Sequence, residues 1–158
     1  MVQYHPLETS FSAAVRRHLV AGLEGHGALA GTWRLAAGER PDPAELARLR
    51  RLILVYPTWD GGLPAGVLGW VHGLLDDPAP LGRVEELVAV TTCGSSRMVN
   101  VMQGQWGKHY LRSRLARACG TGARFRWRPL YGVDRATRGD MDAFLRRIDT
   151  DLAGFIRT

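Results

Sequence analysis

Between Phe11 and Leu23 apolar side chains return at every fourth position, Phe11, Val15, Leu19 and Leu23. That interval drifts slowly around one face of a helix and predicts a helix over Phe11–Leu23. Thr9 or Ser10 caps its start, and Gly25 and Gly27 end it. The clearest stripe lies at the other end of the chain: Met141, Phe144, Leu145, Ile148, Leu152, Phe155 and Ile156 predict a helix over Arg138–Ile156. The middle of the chain alternates. Leu52–Tyr56 and Leu87–Thr91 are continuous apolar runs, the pattern of strands covered on both faces. Met1–Tyr4, Leu29–Leu35 and Phe125–Leu130 read as three further strands, and Ala44–Arg50, Ala65–Leu75 and Lys108–Cys119 as helices.

Five strands alternating with helices predict an α/β fold, a three-layer α/β/α sandwich around a parallel sheet, in one domain spanning 1–158. Such sheets bind ligands outside the carboxyl ends of their strands, where the strand order reverses. Three loops therefore become candidates. His5–Ser12 runs into a helix start, whose exposed N–H groups and dipole favour an anion; Ser10 and Ser12 add hydroxyls and His5 a ring nitrogen. The same hydroxyls also serve as plain helix caps. Pro57-Thr58-Trp59-Asp60-Gly61-Gly62-Leu63-Pro64 places two glycines and an indole where a flat ligand would lie, or makes a tight turn with Trp59 as packing. Asp60 is the acid on that loop and the candidate catalytic residue. Thr91-Thr92-Cys93-Gly94-Ser95-Ser96-Arg97 is rich in small donors suited to the polar edge of a heterocycle. Arg97 is placed to meet an anionic group, and Trp106 to wall the pocket or fill core.

Charge changes this picture little. The chain carries +6, and 13 of its 21 basic residues lie from Arg97 onward against 5 acidic ones. These arginines are spread over helix faces and a strand, so nucleic acid is not expected as a partner, and an anionic cofactor explains the excess as well. Two cysteines make no disulfide framework and no zinc spacing. His18, His26, His72 and His109 read as structural or surface residues, and no metal site is expected. No apolar run has the ~20 residues of a membrane span, and the N-terminus lacks the pattern of a signal peptide. A cytoplasmic protein is expected.

Taken together, the loops resemble the flavodoxin-like NAD(P)H:quinone oxidoreductase family, which includes bacterial modulators of drug activity, ancillary reductases of potassium-efflux systems and animal quinone reductases. The resemblance runs from Tyr4-His5-Pro6 and Ser10-Phe11 through Tyr56-Pro57-Thr58-Trp59, Gly62-Leu63-Pro64-Ala65 and Gly69-Trp70 to Thr91-Thr92 and Gly94, and on to Leu130-Tyr131-Gly132-Val133-Asp134. It implies strand order 2-1-3-4-5, FMN or FAD bound without a covalent link, NAD(P)H as cosubstrate, a quinone or similar flat aromatic as acceptor, and a homodimer. His5, Ser10, Phe11 and Ser12 would lie on the flavin phosphate side, Pro57, Thr58 and Trp59 along the ring, and Thr91, Thr92 and Gly94 at its polar edge. From their loop positions, and not from the resemblance, Gly61, Arg97 and Trp106 are the candidates to face substrate. The sequence departs from the family where aromatic residues usually follow the tryptophan: here stand Asp60 and Gly61. Cys93 replaces a glycine, and Val99 and Trp106 stand where animal members have a tyrosine and a histidine. The first strand is short. Two alternatives follow from these departures: a flavin-free enzyme using Asp60 as acid or base on a polycyclic substrate, and a non-catalytic binding protein.

Overall fold

The computed structural model describes residues 1–156, and at 151, 152 and 154–156 the backbone alone. The sheet consists of β1 (Val2–Gln3), β2 (Trp33–Arg34), β3 (Arg51–Thr58), β4 (Glu86–Cys93) and β5 (Arg124–Tyr131). All four pairings are parallel, in the order β2-β1-β3-β4-β5. The helices are α1 (Phe11–Glu24), α2 (Pro43–Ala47), α3 (Ala65–Asp76), α4 (Arg97–Met102), α5 (Trp106–Tyr110), α6 (Ala116–Ala118) and α7 (Arg138–Ile156).

Alternation along the strands builds two cores. Leu52, Leu54 and Tyr56 of β3, with Leu87 and Ala89 of β4, pack with Val67, Trp70 and Val71 of α3 and with Leu111 and Leu115. The intervening Ile53, Val55, Val88 and Val90 pack with Val15, Leu19 and Leu23 of α1 and Phe144 and Ile148 of α7. Each such side chain contributes on the order of 1.5–3 kcal/mol by leaving water, an upper bound because the unfolded chain is itself partly collapsed. This two-sided burial is why the strands read as unbroken apolar runs. Leu152, Phe155 and Ile156 of the last predicted stripe lie outside the residues whose side chains are described.

Several boundaries differ from expectation. The second strand is two residues, not Leu29–Leu35, because it pairs only with β1, which is equally short. Trp33 N–H donates to the Met1 carbonyl at 3.0 Å, and the chain then turns through Leu35–Ala37 into Gly38. The second helix stops at Ala47, closed at its start by a reciprocal Asp42–Glu45 capping box. The expected Cys93–Gly104 loop contains α4, capped by Ser96. Its sequence, Arg-Met-Val-Asn-Val-Met, has no polar face to betray a helix, because its apolar side chains stay outside the core: Met98 is 71% and Met102 79% exposed. The following helix starts at Trp106 and passes through a wider π-turn at Leu111–Leu115 before α6.

Candidate functional site

After β1 the chain moves outward to β2, then returns to the other side of β1 as β3. That reversal leaves a crevice at the carboxyl ends of the strands. An open cleft of about 520 Å³ lies there, lined by His5 after β1, Pro57–Gly61 at the end of β3, Thr92, Gly94 and Ser95 after β4, Asn100 and Gln103, and Val133 and Asp134 after β5.

The Pro57–Pro64 segment forms a hairpin. Trp59 and Gly62 exchange backbone hydrogen bonds, Gly62 N–H to Trp59 carbonyl at 2.8 Å and the reverse at 3.3 Å. Asp60 (φ 49°) and Gly61 (φ 72°) form the two-residue tip in the left-handed region, the Asp-Gly pairing that this turn favours. Asp60 is exposed on the cleft rim. At Gly62 a Cβ would fall 1.9 Å from the Trp106 ring, so the glycine makes room for the indole. Trp106 consequently does not line the cleft; it packs against Gly62 and edge-on to Tyr110. Trp59, 44% exposed, stands on the cleft wall with Tyr4 at 5.9 Å edge-to-face.

The threonines divide their work. Thr92 lines the cleft and its hydroxyl meets Ser12 Oγ at 3.0 Å, tying the start of α1 to β4. Thr91 is fully buried and bonds Thr58 Oγ1 at 2.7 Å, so it sits behind the wall and orients Thr58. Gly94 is covered by Asp134: a Cβ there would lie 2.5 Å from Asp134 Oδ2. The Cys93 thiol is buried and its pKa is pushed up by desolvation, opposite to what a nucleophile needs.

At the first loop, Ser10 Oγ accepts from Ala13 N–H at 3.2 Å, capping α1. Phe11 turns its ring to Phe144 at 6.2 Å. His5 Nδ1 accepts the Leu7 N–H at 3.0 Å, which leaves its proton on Nε2, and desolvation lowers its pKa. Arg16 and Arg34 converge on the Glu8 carboxylate at 3.7 and 3.3 Å, and Arg17 donates to the Glu8 carbonyl at 3.0 Å. Arg34 is held by Glu39 as well, at 2.5 Å, so these cations are paired locally, and among the described residues no lysine or arginine lines the cleft itself. Arg97 is exposed at the start of α4 and is not among the lining residues. At the opposite end of the sheet, Arg51 and Arg124 flank the buried Glu86 at 3.5 and 3.7 Å, with Arg126 bonded to the same carboxylate. Of the other histidines, His18 pairs with Asp149 at 2.6 Å and His26 with the Gly22 carbonyl at 2.8 Å. No cluster that could hold a metal exists among the described residues.

Sequence reasoning missed Asn100 and Gln103 as lining residues, and read Val133 and Asp134 only as part of the resembling tail. None carries a local motif; they reach the cleft through the placement of α4 and the turn after β5.

No family model matches the chain, and no curated protein matches it. Solved structures do. The NAD(P)H:quinone oxidoreductase from Methanothermobacter marburgensis is 17% identical with a TM-score of 0.72, over 92% of this chain and 89% of that one. The FMN-dependent NADH-azoreductase from Bacillus anthracis, solved in complex with FMN, is 9% identical with a TM-score of 0.73, over 98% and 97%. A second azoreductase, from Bacillus anthracis Sterne, is 11% identical with a TM-score of 0.67, over 92% and 95%. The fold is therefore flavodoxin-like. No helix among the described residues is long and apolar enough to cross a membrane.

Proposed function

We propose that this protein is an FMN-dependent NAD(P)H reductase of flat aromatic acceptors, quinones or molecules of that shape. The observation that carries the reading is the cleft at the strand reversal, whose lining includes His5, Pro57, Thr58, Trp59, Thr92 and Gly94 from the stretches where the sequence resembles the quinone reductases. The residues present fit a flavin. The α1 start suits a phosphate, the β3 hairpin and Trp59 border a flat ring, and Asn100, buried among the lining residues, carries an unmatched carboxamide.

Bound there, the flavin would supply two-electron hydride chemistry, taking electrons from NAD(P)H and passing them to the acceptor. The chain's own residues do the rest. Ser12, held by Thr92, fixes the α1 start relative to the cleft floor. Thr58, held by Thr91, fixes the entry to the hairpin. His5, neutral with its proton on Nε2, offers a donor at the phosphate side of the cleft. Asp60 and Asp134 give the cleft a negative rim, which favours neutral or cationic acceptors.

Met98, Val99, Val101 and Met102 of α4 leave an apolar surface beside the cleft, with Trp59 and Trp106 exposed by 44% and 40%. A second copy of this chain covering that face would close the open cleft, so the functional unit is a homodimer. The test of the function is direct. Purified protein incubated with FMN should retain it through gel filtration at one per chain and then oxidise NADH or NADPH on addition of a simple naphthoquinone. Protein that leaves FMN in the small-molecule fraction would overturn the reading.

A further inference from the structure

Six side chains among the described residues bury polar atoms without a hydrogen-bond partner: Gln3, Arg16, Thr32, Tyr56, Asn100 and Trp127. Of these, Asn100 alone lines the cleft. It is 1% exposed, and both ends of its carboxamide, Nδ2 and Oδ1, are unmatched. Its backbone is fully engaged: Asn100 N–H donates to the Ser96 carbonyl at 3.0 Å, and its own carbonyl accepts from Gln105 N–H at 3.3 Å. The helix is thus held in place by the backbone, and only the side chain is left over.

We propose that Asn100 is the residue that recognises the ring system of the bound ligand, its carboxamide pairing with an imide edge, an N–H and a C=O side by side in one plane. A carboxamide presents an acceptor and a donor about as far apart as those two groups, so the pairing is two hydrogen bonds in one plane. Burial selects the partner. A quinone carbonyl would satisfy Nδ2 and leave Oδ1 shut away from water, the costly arrangement for a polar atom. A flavin carries an imide in its pyrimidine ring and satisfies both. The position agrees with the rest of the cleft, because Asn100 shares its wall with Gly94 and Ser95, the loop suited to the polar edge of a heterocycle. The proposal rests on the flavin reading above and assigns the residue that reads the ring.

The test uses ring compounds that lack the phosphate. Lumiflavin and 3-methyllumiflavin differ by one methyl on the imide nitrogen, which removes the donor and adds bulk at that edge. Binding is followed by quenching of flavin fluorescence. Wild-type protein should bind lumiflavin at least ten-fold more tightly than its methylated analogue. Asn100→Leu should bind lumiflavin about as weakly as wild type binds the methylated form, and should lose the preference. A thermal melt reports whether the variant is folded; where it is not, Asn100→Ser, too short to pair twice, carries the same expectation. Equal binding of both compounds by wild type, or an undiminished preference in the folded variant, overturns the assignment while leaving flavin binding intact. Failure of wild type to bind either lumiflavin or FMN overturns the flavin reading itself and the assignment with it.

Discussion

Gly62 and Trp106 occupy one another's space: a Cβ on Gly62 would lie 1.9 Å from Cε2 and Cζ2 of the indole. Gly107 closes the same contact from the other side, where a Cβ would lie 3.0 Å from the Gly62 backbone. The cleft hairpin is thereby docked on the helix that follows α4. Gly62→Ala must expel the indole, and a loss of about 1–3 kcal/mol is expected, the usual cost of overpacking. Thermal or urea unfolding reads the loss. Trp106→Ala in the same chain should recover part of it, and additive losses in the double variant would show that the two residues do not share a site.

Ser12 and Thr92 join across a sequence separation of eighty residues, with their hydroxyls 3.0 Å apart and both residues buried. Ser12→Ala leaves a buried hydroxyl short of a partner, so it should destabilise by about 1–3 kcal/mol. Ser12→Ala with Thr92→Val removes both groups, and should cost less than the sum of the two single changes. A double-mutant cycle with no coupling would remove this pair as the tie between α1 and the cleft floor.

Asp60 contributes a charge and a backbone conformation, and two substitutions separate them. Asparagine tolerates the left-handed region, so Asp60→Asn should keep the stability of the hairpin while shifting acceptor preference away from cationic and toward anionic rings, several-fold in kcat/KM. Asp60→Ala loses the turn preference as well and should lower stability by roughly 1 kcal/mol. Identical acceptor profiles for wild type and Asp60→Asn would leave the carboxylate without influence on substrate.

His5 gives a pH signature. Desolvation holds its pKa below the ordinary 6.5, with the nearby Glu8 carboxylate opposing in part. The folded chain therefore prefers neutral His5 more than the unfolded chain does. Its contribution to stability is complete above pH 6.5 and fades as pH falls through 6.5 toward the lower folded value. An NMR titration should show a His5 midpoint under 6.5 and the proton on Nε2 at neutral pH. Substituting His5 by Gln should remove that part of the pH dependence. A midpoint at or above 6.5 would contradict this.

The sequence by itself determined the alternation and the two-faced core. Leu52–Tyr56 and Leu87–Thr91 read as buried strands, because each is a continuous apolar run too short for a typical buried helix and is followed by a turn-rich loop. The three cleft loops followed from that alternation, whereas the strand order came only with the family resemblance, because alternation alone leaves several parallel orders open. Tertiary structure alone decided who stands where in the cleft. Asn100 lies on, and Gln103 just past, a helix whose outward apolar side chains mimic core, so periodicity could not find it. The sequence leaves Trp106 open as pocket wall or core, and which of the two it is depends on the backbone that packs beside the indole, here Gly62. Thr91 and Thr92 are adjacent in sequence and point to opposite faces of β4, one behind the wall and one into the cleft. The pleat dictates that they differ, and only the packing of α1 against the sheet settles which of the two is on the ligand side.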